Sequence, residues 1–349
     1  MKKQLLFSIL IGISLSSAGT SAGTSAGTSA RAGTGVSAND STIDMRWHGS
    51  VSSTFQFLAH SRSNIGNIGI GVQEAIFHTE IKEKESSPLK AILGIGTLEH
   101  FDYESTVAPY SPIDVGLQYG WIEYQKSAHR KWQMGQLKNL SGLEDGVSTN
   151  NNHIMYGGIN HSRSFYYPGF RAIYYNGPLQ LYAEIIGPEI PNDTGVSMGV
   201  KFNSGGSKLA LNLTNYLDEE NRTINATWSH EFSRLSMGAV VDYIQLNSNP
   251  VWQDDSAHAL AGYLKLHFNK NSIALRGEYF DAGNTFIYGY ENAGVITTTF
   301  SHNFSKNTFS RFEVIYAKAS NYVFRDDKVL VKDQYGIAIQ IGMRFGKQD

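Results

Sequence analysis

The stretch from Tyr335 to Phe345 has one apolar face and one small or polar face. Side chains of a β-strand point alternately to opposite sides, so every second residue shares a face. An apolar face with a ring at each end and aliphatic side chains between is typical of a strand that faces lipid. The alternative is an amphipathic strand of a soluble β-sandwich. The residues of the predicted lipid-facing closing strand are Tyr335, Ile337, Ile339, Ile341, Met343 and Phe345.

The same alternation recurs from Asp44 onward and predicts about 16 antiparallel strands. Leu260, Leu264 and Leu266, for example, share a face, whereas Lys265 belongs to the opposite one. The stretch from Gln118 to Tyr124 is strand-like, but its outward face cannot be assigned. Short connections such as Asn176-Gly177 (a strong two-residue hairpin signal) alternate with long ones such as His100–Ile113. This topology predicts an all-β fold, a transmembrane antiparallel β-barrel wide enough for an aqueous channel.

The N-terminus has the features of a secretory signal peptide. Lys2 and Lys3 precede an apolar run from Leu5 to Leu15, and Ser16-Ser17-Ala18 offers a small-residue cleavage site. A low-complexity Ser-Ala-Gly-Thr tract follows, and it contains no large apolar residue that could nucleate a core. We therefore predict a signal peptide over 1–18, a linker over 19–42 and an outer-membrane barrel over 43–349.

Composition narrows the function classes. The chain has 349 residues with 17% charged, 12% aromatic and 35 Gly, which suits a barrel with one lipid face and one wet face. The net charge of −2 argues against a nucleic-acid partner, which needs a basic face. Cysteine is absent, which excludes disulfides, thiolate metal sites and a cysteine nucleophile. The 11 His show no metal-ligand spacing, so we expect no catalytic site, no metal and no cofactor.

The longest connection, Asn139–Tyr167, follows the fifth predicted strand. Loops of this length are functional or disordered. This one contains Leu143, Ile154 and Met155, which suit packing against a wall better than exposure to water. We therefore predict that the loop folds into the lumen.

Short motifs around this loop resemble a known family, the phosphate-selective porins O and P. They are Gly135-Gln136-Leu137-Lys138, Gly142-Leu143-Glu144, Arg163-Ser164 and Pro168-Gly169. The chain departs from the family pattern at Leu140-Ser141, where the family has Pro-Phe. The resemblance implies a trimeric 16-stranded porin whose third long loop narrows the pore. It also suggests uptake of anions or phosphate as a function.

Charged residues of the loop and of the inward faces are the candidate lining of the pore. Basic and acidic residues are interleaved on the inward faces, which predicts mutual neutralisation along a wetted wall; a strong anion channel would instead present mainly Lys and Arg. The alternative is a local anion site built by Lys138, Arg163 and Arg171 with His153 or His161. The candidate constriction and lumen residues are Lys138, Glu144, Asp145, His153, His161, Arg163, Arg171, Arg276 and Arg311.

The sequence therefore predicts an outer-membrane porin of a Gram-negative bacterium, a passive diffusion channel for small hydrophilic solutes and ions. Its expected partners are outer-membrane lipid, small hydrophilic solutes or anions, and two further copies in a homotrimer. Two alternatives remain open, an anion- or phosphate-selective porin and an outer-membrane receptor or adhesin.

Overall fold

The fold is taken from a computed structural model of the chain. The structure describes residues 43–60, 67–83, 86–98, 115–162, 164–187, 194–217, 221–245, 256–282, 292–320, 324–326 and 329–346. The predicted signal peptide, the whole of the predicted linker and the connection His100–Ile113 lie outside these residues.

Strands dominate the described residues. Their bounds are β1 Asp44–His60, β2 Asn67–Lys82, β3 Leu89–Leu98, β4 Gly116–Ser127, β5 Arg130–Lys138, β6 Tyr166–Asn176, β7 Leu179–Ile186, β8 Gly195–Ser204, β9 Ser207–Tyr216, β10 Arg222–Glu231, β11 Leu235–Gln245, β12 Ser256–Phe268, β13 Asn271–Asp281, β14 Asn292–Asn303, β15 Thr308–Ala319, β16 Phe324–Asp326, β17 Val329–Val331 and β18 Asp333–Gly346. Two short 3-10 helices, Ser148–Asn150 and Gly158–Ser162, lie between β5 and β6. Across the described ranges, no helix is long and apolar enough to cross a membrane.

Sixteen of the strands form one closed antiparallel barrel. Each barrel strand pairs with its neighbours along the chain, and β1 pairs with β18 to close the sheet. The exception is the short hairpin β16–β17, so β15 pairs directly with β18. The predicted barrel of about 16 strands is confirmed.

The side-chain alternation separates the outer face of the barrel from its interior. On β18, Ile339 is 43% exposed and Ile341 is 60% exposed, whereas Ala338 and Gln340, which alternate with them, are buried. At one end of the barrel, the ring of Trp47 stacks on Phe77 and also contacts Phe345, and the three residues lie on neighbouring strands. A continuous apolar surface bordered by rings is what a hydrocarbon layer favours, because water there would be in contact with large apolar areas.

Strand β4 has aromatic residues on both faces, which explains why its sequence gives no outward face. Ile122 and Tyr124 are exposed on the outside. Tyr119 points inward, where its ring stacks on Tyr166 of β6 with centroids 4.6 Å apart. Gly94 on the adjacent strand has no side chain, and a Cβ there would overlap the Tyr119 ring.

The predicted hairpin at Asn176-Gly177 is present. Strand β6 ends at Asn176, β7 begins at Leu179, and Gly177 has a φ of 57°. This left-handed backbone conformation is open to glycine at little cost, which is why the two-residue signal is reliable here.

Candidate pore and inward loop

The described residues of the connection 139–165, called the inward loop below, lie inside the barrel. Ile154, Met155 and Ile159 are buried and pack in one apolar cluster with wall residues that include Val240 and Phe280. Fully burying a side chain of this size contributes about 1.5–3 kcal/mol. Burial of these apolar residues is therefore the first reason that the loop packs against the barrel wall and is not exposed to water.

Two carboxylates of the barrel wall accept hydrogen bonds from the backbone of the inward loop. Glu313 on β15 accepts from the backbone N–H groups of Ile154 at 2.7 Å and Met155 at 2.9 Å. Glu74 on β2 accepts from the N–H of Thr149 at 3.1 Å and the hydroxyl of Ser148 at 2.8 Å. Buried N–H groups must find an acceptor, and charged acceptors form the stronger hydrogen bonds. The wall thus supplies acceptors that the irregular loop backbone cannot supply itself.

Arginines of the wall donate to the carbonyl groups of the loop. Arg311 donates to the carbonyls of Ser148 at 3.2 Å, Thr149 at 2.9 Å and His153 at 3.2 Å. On β18, Arg344 adds a bond of 2.5 Å to the carbonyl of Thr149. A planar guanidinium has five N–H donors, so a single arginine can donate to several carbonyl groups at once.

Arg276 on β13 joins the loop to the wall through charge. Its Nη1 lies 2.6 Å from Oε1 of Glu144 and donates to the carbonyl of Met155 at 3.1 Å, while its Nε lies 2.8 Å from Glu278. The side chains of Arg276 and Glu278 are 0% exposed. Mutual neutralisation is therefore present for this pair.

The prediction of a wetted wall is wrong for the residues beneath the inward loop. Arg276, Arg311 and Glu313 point inward as predicted, yet all three are buried. The reason is that the loop covers them and uses them as hydrogen-bonding partners. They hold the inward loop in place and are not exposed to the lumen.

The inward loop also covers the seam where the two ends of the barrel meet. The amide of Gln340 on β18 donates to Ser52 on β1 at 3.2 Å and to Ser148 of the loop at 3.2 Å. The amide of Gln56, also on β1, lies 3.0 Å from the sulfur of Met155. The loop therefore contacts both strands that close the barrel.

The predicted local anion site does not assemble from Lys138 and Arg171. Lys138 forms an ion pair with Asp145 of the loop. Arg171 is buried, lies 2.5 Å from Glu184 and donates to the hydroxyl of Tyr167 at 2.8 Å. Each of these cations already has a carboxylate partner. The interleaved charges thus lead to neutralisation at both positions.

Three basic residues of that hypothesis remain, and the side chains of two of them, Arg163 and His161, lie outside what the structure describes. Arg163 lies outside the described residues, and for His161 the structure describes the backbone but not the side chain. The hypothesis for these two positions stays a prediction.

His153 lies at the contact between the inward loop and β14–β15. Its ring Nδ1 is 2.7 Å from the hydroxyl of Thr299, and it is 3.6 Å from Oε2 of Glu313. Burial lowers the pKa of His153 below its ordinary value, against the opposing effect of Glu313. The neutral imidazole is therefore the form that fits beneath the loop.

Sequence reasoning did not find the partners of the loop, although it found the inward faces. Glu74 and Gln340 alternate onto the correct face, but nothing nearby in the sequence marks them as contacts of Ser148. The hydrogen bond between Gln340 and Ser148 joins residues 192 positions apart. The usable signal in the sequence is that several strands carry a polar, hydrogen-bonding residue at an inward position. This predicts a polar interior but does not identify the partner of each residue.

A cavity separates the inward loop from one part of the wall. It has a volume of about 560 Å³ and is lined by the loop from Gly142 to His153 and by strands β9 to β12. Its polar lining includes Asn152, Tyr263 and Lys265. The loop also contacts the strands on this side, because Lys265 of β12 donates to Asn152 and Asn225 of β10 accepts from the N–H of Gly142.

A closed barrel of 16 antiparallel strands, apolar outside and polar inside, with a long loop folded into the lumen, is the architecture of a porin. The sequence supports the same class. Residues 82–345 match the BBP2 family, described as beta-barrel porin-2, OmpL-like. The chain belongs to this family of porins and is an outer-membrane diffusion channel. No curated protein matches the sequence.

Solved porins share the fold at low sequence identity. The outer membrane channel DcaP of Acinetobacter baumannii aligns with a TM-score of 0.66 and 11% identity over 88% of this chain and 99% of that one. The anion-selective porin from Comamonas acidovorans aligns with a TM-score of 0.62 and 12% identity over 87% of this chain and 100% of that one. OmpF of Salmonella typhi, in complex with daunomycin, aligns with a TM-score of 0.61 and 11% identity over 87% of this chain and 98% of that one. The expectation of a bacterial porin is confirmed, whereas membership of the phosphate-selective porins O and P stays a prediction.

Proposed function

We propose that the inward loop sets the size limit of a passive channel for small hydrophilic solutes. The observation that carries this proposal is the docking of the loop through buried groups, above all Glu313, Arg311 and Arg276. A loop held by several charge-assisted hydrogen bonds and an apolar cluster occupies cross-section persistently. Solutes pass through what remains, and no chemistry is performed on them.

The bias between cations and anions arises at the narrow part of the lumen. Field lines concentrate where a passage is narrow and its walls have a low dielectric constant. Charges at the mouth are screened within about 8–10 Å at physiological salt, so they contribute less. The charge bias therefore depends on side chains near the inward loop, such as Lys138, Asp145 and Lys265.

Conductance in a planar bilayer tests the proposal. The purified mature chain should form stable water-filled channels whose current rises in proportion to potassium chloride concentration. An outer-membrane receptor or adhesin would bind its ligand without forming such channels. A properly folded barrel that does not conduct at any voltage would overturn the diffusion function.

A preference for anions is a second candidate function. Arg344 donates to a backbone carbonyl, which satisfies that hydrogen bond but does not cancel the charge of the guanidinium. The fold is shared with a porin described as anion-selective, which is consistent with this candidate. A reversal potential under a salt gradient measures it directly, and a value on the cation side would refute it. Adding inorganic phosphate and measuring how far it reduces the chloride current distinguishes phosphate uptake from a general anion bias.

We also propose a homotrimer in the membrane. The resemblance of the motifs around the inward loop implies it, and an outer membrane protein of Vibrio cholerae with the same fold is described in a trimer form. Cross-linking of intact outer membranes followed by gel electrophoresis should give a ladder ending at three copies. A ladder that ends at one copy would contradict the trimer and leave the channel function intact.

A further inference from the structure

The cavity beside the inward loop, called the Lys265 cavity below, has a composition that suits a ligand. One side is formed by consecutive amides, Asn150, Asn151 and Asn152, and the other by Tyr263 and Lys265 of β12. Its volume of about 560 Å³ falls in the range of small-molecule sites, about 300–1,000 Å³. A few polar groups converging on a concave space are typical of a solute-binding site.

Lys265 brings a positive charge into this cavity. Its ammonium donates to the amide oxygen of Asn152 at 2.9 Å, and in the described part of the chain no carboxylate forms an ion pair with it. Asn152 is a neutral acceptor, so this bond orients the ammonium without cancelling its charge. Arg311 and Arg344 act on Lys265 as like charges, and both donate to neutral carbonyls of the loop. The wall around Lys265 is therefore electropositive.

The two acids that line the cavity do not offset this charge fully. Glu144 is engaged: it accepts from Arg276 at 2.6 Å and from the N–H of Gly157 at 2.9 Å. Glu231 lies at the edge of the cavity, has a side chain 67% exposed, and faces Lys208 at 3.9 Å. An exposed acid is screened by water and salt, whereas the partly buried Lys265 is screened less.

We propose that the Lys265 cavity is a binding subsite for a small monocarboxylate that carries a ring. One ammonium matches one negative charge, and the amide nitrogen of Asn152 supplies a further donor to a carboxylate. The amides of Asn150 and Asn151 already donate to Asp145. The rings of Tyr263 and His153 both line the cavity, with centroids 6.3 Å apart, and a ring on the solute can pack beside this pair. Inorganic phosphate carries up to two charges and no apolar surface, so it matches this set of groups less well.

The inference rests on the proposed channel function and assigns it a class of solute. Binding in a channel must be strong enough to favour entry and weak enough to permit exit. A single ammonium with the neutral amide of Asn152 meets this requirement, because it forms few charge-assisted hydrogen bonds. Benzoate should accordingly occupy the cavity briefly and hinder chloride while it is there.

Inhibition of the chloride current by sodium benzoate tests the inference. In the wild-type channel, benzoate should reduce the current in a saturable way. Lys265→Met keeps the length of the side chain and removes its charge, and it should raise the half-inhibiting benzoate concentration about tenfold or more. Lys90→Met is the matched control, because Lys90 is an inward lysine on β3 with two carboxylate partners, Glu80 and Glu123. It should leave inhibition unchanged.

Two further measurements separate the parts of the proposal. Tyr263→Leu should weaken inhibition by benzoate more than inhibition by acetate, since acetate has no ring. Inorganic phosphate should inhibit the wild type less than benzoate does at equal concentration. Benzoate inhibition of equal strength in Lys265→Met and wild type would overturn the inference, as would stronger inhibition by phosphate. Both outcomes require a conducting channel, so they are distinct from a failure of the channel function, which would abolish current altogether.

Discussion

Glu313 on β15 accepts a hydrogen bond of 2.7 Å from the backbone N–H of Ile154, which lies in the inward loop. The two residues are 159 positions apart in the chain. The carboxylate side chain is 0% exposed, so the bond exists in a place from which water has been removed. The contact makes a residue of the barrel wall a determinant of the loop position.

Glu313→Ala should release the inward loop. The substitution removes the acceptor of two backbone N–H groups, those of Ile154 and Met155, and each buried N–H left without an acceptor costs about 1–3 kcal/mol. We expect a higher and noisier single-channel current with little change in the thermal unfolding of the barrel. Glu231→Ala is the control, because that side chain is 67% exposed and lies at the edge of the lumen. A quiet current of wild-type size in Glu313→Ala would show that the loop is held by other contacts.

Deleting residues 148–160 should raise conductance without unfolding the barrel. The hydrogen-bond ladder that closes the wall runs between strands and does not include the inward loop. Arg311 and Glu313 would then contact lumen water, which can hydrate them. The measurement is single-channel conductance together with the shift in gel mobility on boiling. Unchanged conductance in a folded variant would place the constriction elsewhere.

Acid should weaken the docking of the inward loop through His153. Burial lowers the pKa of His153 in the docked loop below its ordinary value of about 6.5, so the undocked loop binds a proton more readily. The stability of docking is therefore fully present above pH 6.5. It falls as the pH drops below that value, by up to about 1.4 kcal/mol per pH unit until the lowered pKa is reached.

Current recordings between pH 7.5 and pH 5 measure this effect. Wild-type channels should become noisier and more conductive as the pH falls. His153→Gln keeps a polar side chain beside Thr299 but does not titrate in this range, so it should lose that part of the pH dependence. A pH response of equal size in both proteins would assign it to other groups.

Ile339→Lys should impair insertion of the barrel. Ile339 is 43% exposed on the outer face of β18, and a lysine at mid-membrane depth costs about 2–4 kcal/mol. Tyr335→Lys on the same face is the matched comparison, because it lies at the end of the strand, where the cost falls to about 0–1 kcal/mol. Folding yield into lipid vesicles measures both. Equal yields for the two variants would contradict the assigned depth of Ile339.

Lys138→Met should shift the reversal potential toward cation preference, because it leaves Asp145 without its ion-pair partner. The double variant Lys138→Met with Asp145→Asn removes both charges and should return most of the way to the wild-type potential. Reversal potentials in a tenfold gradient of potassium chloride give the comparison. No shift in the single variant would mean that this pair lies away from the path of the ions.

The barrel could be predicted from the sequence because its rule is local. Whether Ile339 faces lipid and Gln340 the interior follows from alternation and from the bordering aromatic residues, and both are read within one strand. Alternation did not assign the outward face of β4, because Tyr119 and Trp121 place rings on the inward face while Ile122 and Tyr124 occupy the outward one. Those inward rings pack against residues outside β4, and the residue pattern within a single strand carries no information about such contacts.

The contacts of the inward loop could not be predicted, because they join residues far apart in the chain. The sequence indicated that the loop packs on a wall, since it contains Ile154, Met155 and Ile159. It did not indicate which wall, and so Arg276 and Arg311 were assigned to a wetted surface that is in fact covered. Ion pairs such as Arg171 with Glu184 were within reach of prediction, because both residues lie on neighbouring strands at paired positions.

The position of the inward loop over the closing seam has a consequence for the order of assembly. Its contacts with Gln56 on β1 and with Gln340 and Arg344 on β18 require both ends of the sheet to be in place. The loop is synthesised in the first half of the chain, yet its binding surface is complete only after the last strand has joined the first. A half-inserted barrel would therefore present this segment undocked and open to proteases, and resistance to cleavage there would report that the wall has closed.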